Sequence, residues 1–280
     1  MEITVARERI FLLHPHVEWT TAKVRVEDKR VNLVAGTMGA LFSRPKPEDI
    51  RLIYAEKRLE PFWHVGVHTR TVYDRQVSYT VPVTGAEVKQ VTLLGQDLPV
   101  SGQAKGSPAL TLQAMEHCEE ELRKSWTYGG DGVARTELAP LMAGSKEELE
   151  NFDKLTADGI LVVPPEVKAN SIIRQIVSQV VKPVKAQVIH EEQVNLDLVD
   201  LYFRPVYAFE FDWAAKSKQV VVEFDGITGE MRTGKAFKEQ LRSVLNPALM
   251  FDLGADAVDL VVPGAGIAMK LVRAVVDRKK

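Results

Sequence analysis

The sequence predicts an α+β protein made of two related halves, each an antiparallel sheet with helices packed on one face, followed by a C-terminal helical hairpin. Three observations support this fold class. Apolar and polar residues alternate strictly over 205–213, apolar residues recur at helical spacing over 166–182, and the segment 192–213 has a partial echo at 48–69. Alternation is typical of a strand with one buried face, whereas helical spacing is typical of an amphipathic helix.

Two helices are expected ahead of the C-terminal strands. Ser145 as the N-cap and Glu148 three residues later form a capping box, which predicts a helix from 146 to 156. The segment 166–182 places its isoleucines and most of its valines on one helical face, and Pro183 ends this helix. A strand remains an alternative for the second segment, because β-branched residues suit both structures.

Three strands are expected next, at 194–203, 205–213 and 219–224. The odd positions of the second strand form an aromatic row, which consists of Tyr207, Phe209, Phe211 and Trp213. We interpret this row as a buried face, because aromatic side chains contribute most to core packing when they line one side of a strand. Glu210 and Asp212 lie at even positions and are expected to form a solvated face.

The partial match between the segments 48–69 and 192–213 indicates an internal duplication. A shift of 144 residues places 48–69 over 192–213, with Pro61 over Pro205. Strand periodicity alone also produces such matches, so two unrelated antiparallel sheets remain the alternative. The expected domains are an N-terminal half at 1–140, a C-terminal half at 145–235 and a hairpin at 236–280.

The N-terminal half is harder to interpret. The segment 22–28 is typical of a strand, and the glycine-containing segment 30–42 is typical of a helix. Ser107 as an N-cap, with Pro108 at the first helical position, predicts a further helix that extends to Trp126.

A short motif ends the last predicted strand and provides a family resemblance. The motif "DGITGE" contains Asp225, Thr228, Gly229 and Glu230. The order of a helix, strands and an Asp-x-x-Thr-Gly-Glu turn over about 165–232 resembles the PepSY-type module. The resemblance implies a degenerate copy at about 20–88, which keeps Thr84 and Gly85 but has Val81 where the aspartate should be. It also implies a non-catalytic protein, since such modules are linked to restraining peptidases or to extracytoplasmic interactions.

Composition narrows the classes of function. The net charge is −2 and the pI is near 6.3, so no global basic field is present to hold nucleic acid. Cys118 is the single cysteine, which precludes an intrachain disulfide and fits a reducing compartment. Charged residues interrupt every apolar run near the N-terminus, so we expect no secretion signal and a cytoplasmic protein.

Two places in the chain are candidates for ligand contacts. His14 and His16 flank a proline, and alternate positions on a strand bring two imidazoles to one metal ion; no third ligand is evident nearby. The C-terminal hairpin is predicted as helices at 246–261 and 266–277. Its basic residues are Lys270 and Arg273 and, beyond the second helix, Arg278, Lys279 and Lys280. A basic amphipathic helix of this kind lies on an anionic membrane or docks on the core with a solvated basic end.

These observations predict a non-catalytic binding or interaction protein with an unidentified protein partner, no nucleic acid and no cofactor. The sequence contains no Gly-x-Ser-x-Gly, His-Glu-x-x-His or Cys-x-x-Cys motif. Two alternatives remain open: a peripheral membrane protein that acts through the C-terminal hairpin, and a hydrolase or metal enzyme without a recognised motif.

Overall fold

The structure is a computed structural model built around two long antiparallel strands. It describes residues 1–43, 45–102, 107–150, 155, 159–234, 259–261 and 268–273, with side chains except at 37–43, 259–261 and 268–273. The helices are α1 (Trp19–Ser43, interrupted at Gly36) and α2 (Ala169–Val180). The strands are β1 (Glu2–Val5), β2 (Glu8–Leu13), β3 (Arg51–Pro82), β4 (Gln90–Leu93), β5 (Gln96–Pro99), β6 (Ala109–Gly129), β7 (Lys146–Leu149), β8 (Ile160–Val162), β9 (Val188–Trp213), β10 (Lys218–Asp225), β11 (Met231–Gly234), β12 (Asp259–Val261) and β13 (Ala268–Arg273).

The two central strands, β3 and β9, pair from Arg51 opposite Asp212 to Asp74 opposite Val188. β6 and β8 pair with the other side of β3, and β1, β2 and β10 pair in turn with the other side of β9. β13 and β12 continue beyond β1, β7 beyond β2, and β11 beyond β10. The result is a mixed 11-stranded sheet, with β4 and β5 as a separate hairpin.

Both helices cover the same face of this sheet, which we call the helix face. Leu201 and Phe203 pack in a cluster with α2, whereas Tyr207 and Phe209 pack in a cluster with α1. These four residues share odd positions along β9, and the pairing with β3 runs between them without a bulge. Their side chains therefore point to one side, since alternate residues of a strand face the same way.

The opposite face, which we call the charged face, has a smaller apolar cluster at its centre. Tyr202 stacks between Phe11 and Phe62, with ring centroids 4.8 Å and 5.1 Å away. Leu138 and Leu141, from a 3₁₀ helix at Thr136–Ala143, are buried in the same cluster. This 3₁₀ helix covers only part of the face, and charged side chains occupy the strands beside it.

Several local predictions are confirmed. The helix expected within 166–182 is α2, with Ile172, Ile173 and Ile176 buried. The strand expected at 219–224 is β10, which pairs antiparallel with the segment 206–213 of β9. The separation of this segment from the strand expected at 194–203 is wrong, because β9 continues through Pro205 as one strand. The aromatic row is buried, and Trp19 of α1 stacks on Phe209 at 5.0 Å between ring centroids.

The prediction of two related halves, each with its own sheet and helices, is wrong. The matched segments 48–69 and 192–213 do not lie in separate sheets but pair with each other in one sheet. The segment "RTVYDR" at 70–75, which contains no glycine or proline, continues β3 beyond the matched segment. Each helix also packs on strands contributed by the other part of the chain.

Three predictions of local structure in the remaining segments are wrong. The helix expected from Ser107 to Trp126 is β6, whose full length pairs with β3. The helix expected at 146–156 begins as β7, where Glu148 lies opposite Phe11 of β2. The strand expected at 22–28 is part of α1, with Ala22 and Val26 buried one helical turn apart. In each case the partner available in the fold overrides the local sequence preference.

The predicted C-terminal helical hairpin is also wrong. Its described residues form β12 and β13, and β13 runs parallel to β1 with Leu271 opposite Ile3. A strand satisfies the backbone groups at this sheet edge that a helix would leave unpaired. Within the described residues, no helix combines the length and the apolar character needed to cross a membrane.

Candidate functional site

Buried arginine–carboxylate pairs occupy the charged face of the sheet. At their centre is Arg58 on β3, whose side chain is 0% exposed. Its guanidinium lies 3.5 Å from Glu56 and 2.7 Å from Glu60 and also pairs with Glu223 of β10. A buried cation is tolerated only when it is paired, so these carboxylates make the position of Arg58 possible.

A second arginine extends the network across β9. Arg204 lies opposite Glu60 in the sheet and contacts it at 2.8 Å. Its other guanidinium nitrogen contacts Asp225 at 2.6 Å. Arg204 therefore joins the centre of the sheet to the turn that follows β10.

A third arginine, Arg232 on β11, brings the network to the surface. Its Nε donates to Glu223 at 2.7 Å, and Nη2 lies 3.6 Å from Glu60. Burial alone would lower the pKa of Arg232, but the hydrogen bond to Glu223 and the charges of Glu60 and Asp225 raise it above its ordinary value. The guanidinium therefore stays charged while half of its side chain, 53%, faces solvent.

Two adjoining recesses open beside these arginines. One has a volume of about 370 Å³ and the other about 270 Å³. Arg135, Leu138, Arg204 and Arg232 line both recesses, so the two form one continuous cleft. We call it the arginine cleft. Its two parts together fall within the range of volumes for pockets that bind small molecules.

Two proline–glycine contacts hold turns against the central strands near the arginine cleft. The N–H of Gly130 donates to the carbonyl oxygen of Pro61 at 3.1 Å, and the N–H of Gly226 donates to that of Pro205 at 3.0 Å. A Cβ at Gly130 would lie 2.7 Å from the Pro61 ring, and one at Gly226 would lie 3.1 Å from the Pro205 ring. Glycine at these positions therefore allows the turns to approach the central strands.

The turn motif singled out in the sequence forms one wall of the cleft. Oδ1 of Asp225 accepts hydrogen bonds from the backbone N–H groups of Ile227 and Thr228, at 2.8 Å and 3.0 Å. Gly229 adopts φ 75°, a left-handed conformation that favours glycine. Thr228 Oγ1 accepts from the N–H of Glu230 at 3.2 Å. Oδ1 of Asp225 thus holds the turn, while its other oxygen, Oδ2, accepts a hydrogen bond from Arg204.

The chemistry of the arginine cleft favours binding. Guanidinium groups donate hydrogen bonds but do not exchange protons near neutral pH, and Glu60, Glu223 and Asp225 are already held by arginines. The rim carries three exposed glutamates that form no ion pair within the described part of the chain: Glu137, Glu166 and Glu230. The cleft therefore combines fixed cations inside with anions at its edge.

The metal candidates lie elsewhere. His14 and His16 follow the end of β2 and are not on a strand, so the alternation that would direct both imidazoles to one ion is absent. Both side chains are exposed, and their backbone N–H groups donate to Ser145 and Gly226. Among the side chains that the structure describes, no group of three or more His, Cys, Asp or Glu residues could hold a metal ion.

The basic residues proposed for membrane contact are not on a helix. Lys270 and Arg273 belong to β13, and Arg278 lies outside the described residues. The interpretation of Glu210 as part of a solvated face is wrong, since it is only 7% exposed. Asp212, the other acidic residue expected on that face, is half-buried.

Sequence reasoning missed the cleft and the buried arginine–carboxylate network beside it. A signal was present in "EKRLE" at 56–60, where Glu56, Arg58 and Glu60 alternate with other residues on one face of a strand. No family model, no curated protein and no solved structure matches this chain.

Proposed function

We propose that the protein is a non-catalytic binding protein whose arginine cleft receives a charged segment of a partner polypeptide. The observation that carries the proposal is the convergence of Arg135, Arg204 and Arg232 on one continuous cleft. Fixed guanidinium groups bind backbone carbonyl and carboxylate oxygens, often through two hydrogen bonds at once. Their fixed positions reduce the entropy that is lost on binding.

The rim indicates the chemistry of the partner segment. Glu137, Glu166 and Glu230 place three negative charges around the opening. A segment with lysine or arginine side chains would pair with these glutamates, while its carbonyl groups or a carboxylate contact the arginines inside. A site with both positive and negative groups is specific. A purely acidic segment is repelled by the glutamates, and a purely basic one is repelled by the arginines.

The resemblance to PepSY-type modules supports the same class of function. The resemblance implied a helix, three strands and the turn; α2, β9, β10 and the Asp225–Glu230 turn follow one another in the chain, with two of the three expected strands joined in β9. Modules of that type act by binding other proteins, which is the role proposed here. The location we propose is a reducing, cytoplasmic compartment, supported by Cys118 as a free thiol.

Site-specific photo-crosslinking in the native cell tests the proposal. A photoreactive amino acid replaces Glu137 at the rim, and in a matched control it replaces Lys29, an exposed residue of α1 on the helix face. The proposal predicts a partner that crosslinks at position 137 and not at 29, and that is lost when Arg232→Ala is combined with the probe. Equal crosslinking at both positions, or no effect of Arg232→Ala, would contradict it.

A further inference from the structure

The outer edge of β6 is the longest open strand edge that the structure describes. β6 pairs with β3 on one side along its whole length, without a bulge. On its other side only its two ends are engaged: Ala109 bonds to Ser101, and Thr127 and Gly129 bond to the segment at 133–135. Between these ends, no described residue pairs with the outer edge. Open edges of this length pair readily with another strand.

The bonds at the two ends show which backbone groups point outward. Ala109, Thr127 and Gly129 all direct their outward bonds away from β3, and all three are odd-numbered. In an antiparallel pair, a residue directs both its N–H and its C=O to the same side, and this side alternates along the strand. Since no bulge intervenes, the odd residues between them present free N–H and C=O groups at the edge.

The central part of this edge is exposed on both faces and carries charges of both signs in sequence. Residues 119–125 are all exposed. Glu119, Glu120 and Glu121 are followed by Leu122 and then by Arg123 and Lys124. Isolated acidic edges resist pairing through repulsion. Here the acidic residues lie beside basic ones. When two copies of this edge run antiparallel, the acidic residues of each copy can therefore lie opposite the basic residues of the other.

We propose that the β6 edge pairs antiparallel with the same edge of a second copy of the chain, centred on Leu122. In this register Glu121 lies opposite Arg123 of the second copy, and Glu120 lies opposite Lys124 of the second copy. Each pair occurs twice, because a two-fold contact is the same for both copies. This surface and partner are separate from the arginine cleft and do not depend on the function proposed for it.

The backbone parity is consistent with this register, and like-charge contacts disfavour its nearest competitors. Glu121 and Arg123 are both odd, so each presents outward N–H and C=O groups to the other. Leu122, which is 39% exposed, meets its own copy at the non-hydrogen-bonded centre, where opposite side chains lie closest. A centre at Glu121 would place two glutamates opposite each other, and a centre at Arg123 would place two arginines together.

Two opposite charge reversals test the pairing. Glu120→Lys with Glu121→Lys makes the edge basic, whereas Arg123→Glu with Lys124→Glu makes it acidic. We expect the wild-type full-length chain to sediment as a dimer whose fraction rises with concentration, and each reversed protein to remain a monomer. An equimolar mixture of the two reversed proteins should dimerise again, because opposite edges now meet. Circular dichroism checks that each protein is folded.

A change of charge elsewhere on the surface should leave the dimer intact. Lys29→Glu with Arg174→Glu, at exposed positions of the helices, changes the net charge by the same amount as Arg123→Glu with Lys124→Glu and serves as this control. Raising the salt concentration from about 0.1 M to about 1 M, which shortens the screening length from about 10 Å to about 3 Å, should weaken the dimer. A monomeric wild type, a dimer that survives either reversal, or a mixture that stays monomeric would each overturn the proposal.

Discussion

Arg58 and Glu223 form an ion pair across an intervening strand. Arg58 is on β3 and Glu223 on β10, and β9 lies between them. Ala208 of β9 is directly opposite Glu223 and is 1% exposed, and its small side chain leaves room for the guanidinium to pass over it. This contact connects three strands on the charged face. It also fixes the position of Glu223, which lines the arginine cleft.

Replacing Arg58 with leucine should strongly destabilise the protein. The change leaves Glu56, Glu60 and Glu223 without their shared cation in a buried place. Breaking a buried pair from one side costs about 3–5 kcal/mol of unfolding free energy. Urea denaturation measures it. As a control, Arg75→Leu removes an exposed pair with Glu116 and should cost far less, because water screens exposed ion pairs. Equal costs for both variants would contradict the buried network.

Two variants of Asp225 should separate the contribution of the turn hydrogen bonds to stability from that of the ion pair with Arg204. Asp225→Asn keeps a carbonyl oxygen for the backbone N–H groups of Ile227 and Thr228 but loses the charge that holds Arg204. Asp225→Ala loses both functions. We expect the alanine variant to be less stable than the asparagine variant by about 1–2 kcal/mol, as each lost hydrogen bond costs about 1 kcal/mol. Urea denaturation of the two variants tests this, and identical stabilities would show that the turn bonds contribute nothing.

The aromatic row should behave as core and not as a ligand surface. Phe209 is 0% exposed and stacks on Trp19. Phe209→Ala should therefore cost about 3–5 kcal/mol of unfolding free energy. Leu94→Ala is the control, since Leu94 is 97% exposed and its loss should change stability by about 0.5 kcal/mol or less. A small effect at Phe209, measured by thermal or urea unfolding, would contradict the packing of α1 on this row.

Acidification should destabilise the fold through His64. Burial lowers the pKa of His64 below its ordinary value; Asp200 opposes this shift, and Arg9 and Lys146 add to it. The unfolded chain therefore takes up the proton more readily than the native one, so this contribution to stability is present above about pH 6.5 and is lost as the pH falls below it. The urea midpoint should drop between pH 7.5 and pH 5.5.

A matched pair of variants isolates this effect. His64→Gln should show a smaller drop of the urea midpoint between the two pH values than the wild type. His14→Gln, at an exposed position, should show the wild-type drop. If His64→Gln and the wild type lose the same stability on acidification, the titration lies elsewhere in the protein.

Elements with a strong local signal could be predicted from the sequence. α2 has three isoleucines at helical spacing and a proline just beyond it, and the pair of β9 and β10 shows strict alternation. The Asp225–Glu230 turn carries its own hydrogen-bond donors and acceptors within six residues. These elements depend on neighbours along the chain, so the sequence pattern and the structure agree.

Elements that depend on distant partners could not be predicted in this way. In β6, Leu112, Leu122 and Trp126 fit a helical spacing, yet on a strand the same three residues share one face. Pairing with β3 decides between the two structures. The paired residues are far apart in sequence: Cys118 lies opposite Tyr73, more than 40 positions away. The arginine cleft has the same difficulty, because Arg58 and Glu223 meet only once the order of three strands is known.

The affinity of the partner for the arginine cleft tests the central claim most directly. Once crosslinking has identified the partner, titration calorimetry compares its binding to the wild type, to Arg232→Ala and to Lys29→Ala. Arg232 is half exposed, so its removal should leave the fold intact while it weakens binding about tenfold or more, which is about 1.4 kcal/mol. Lys29→Ala should bind as the wild type does. Unchanged affinity of the Arg232→Ala variant would contradict the arginine cleft as the binding site.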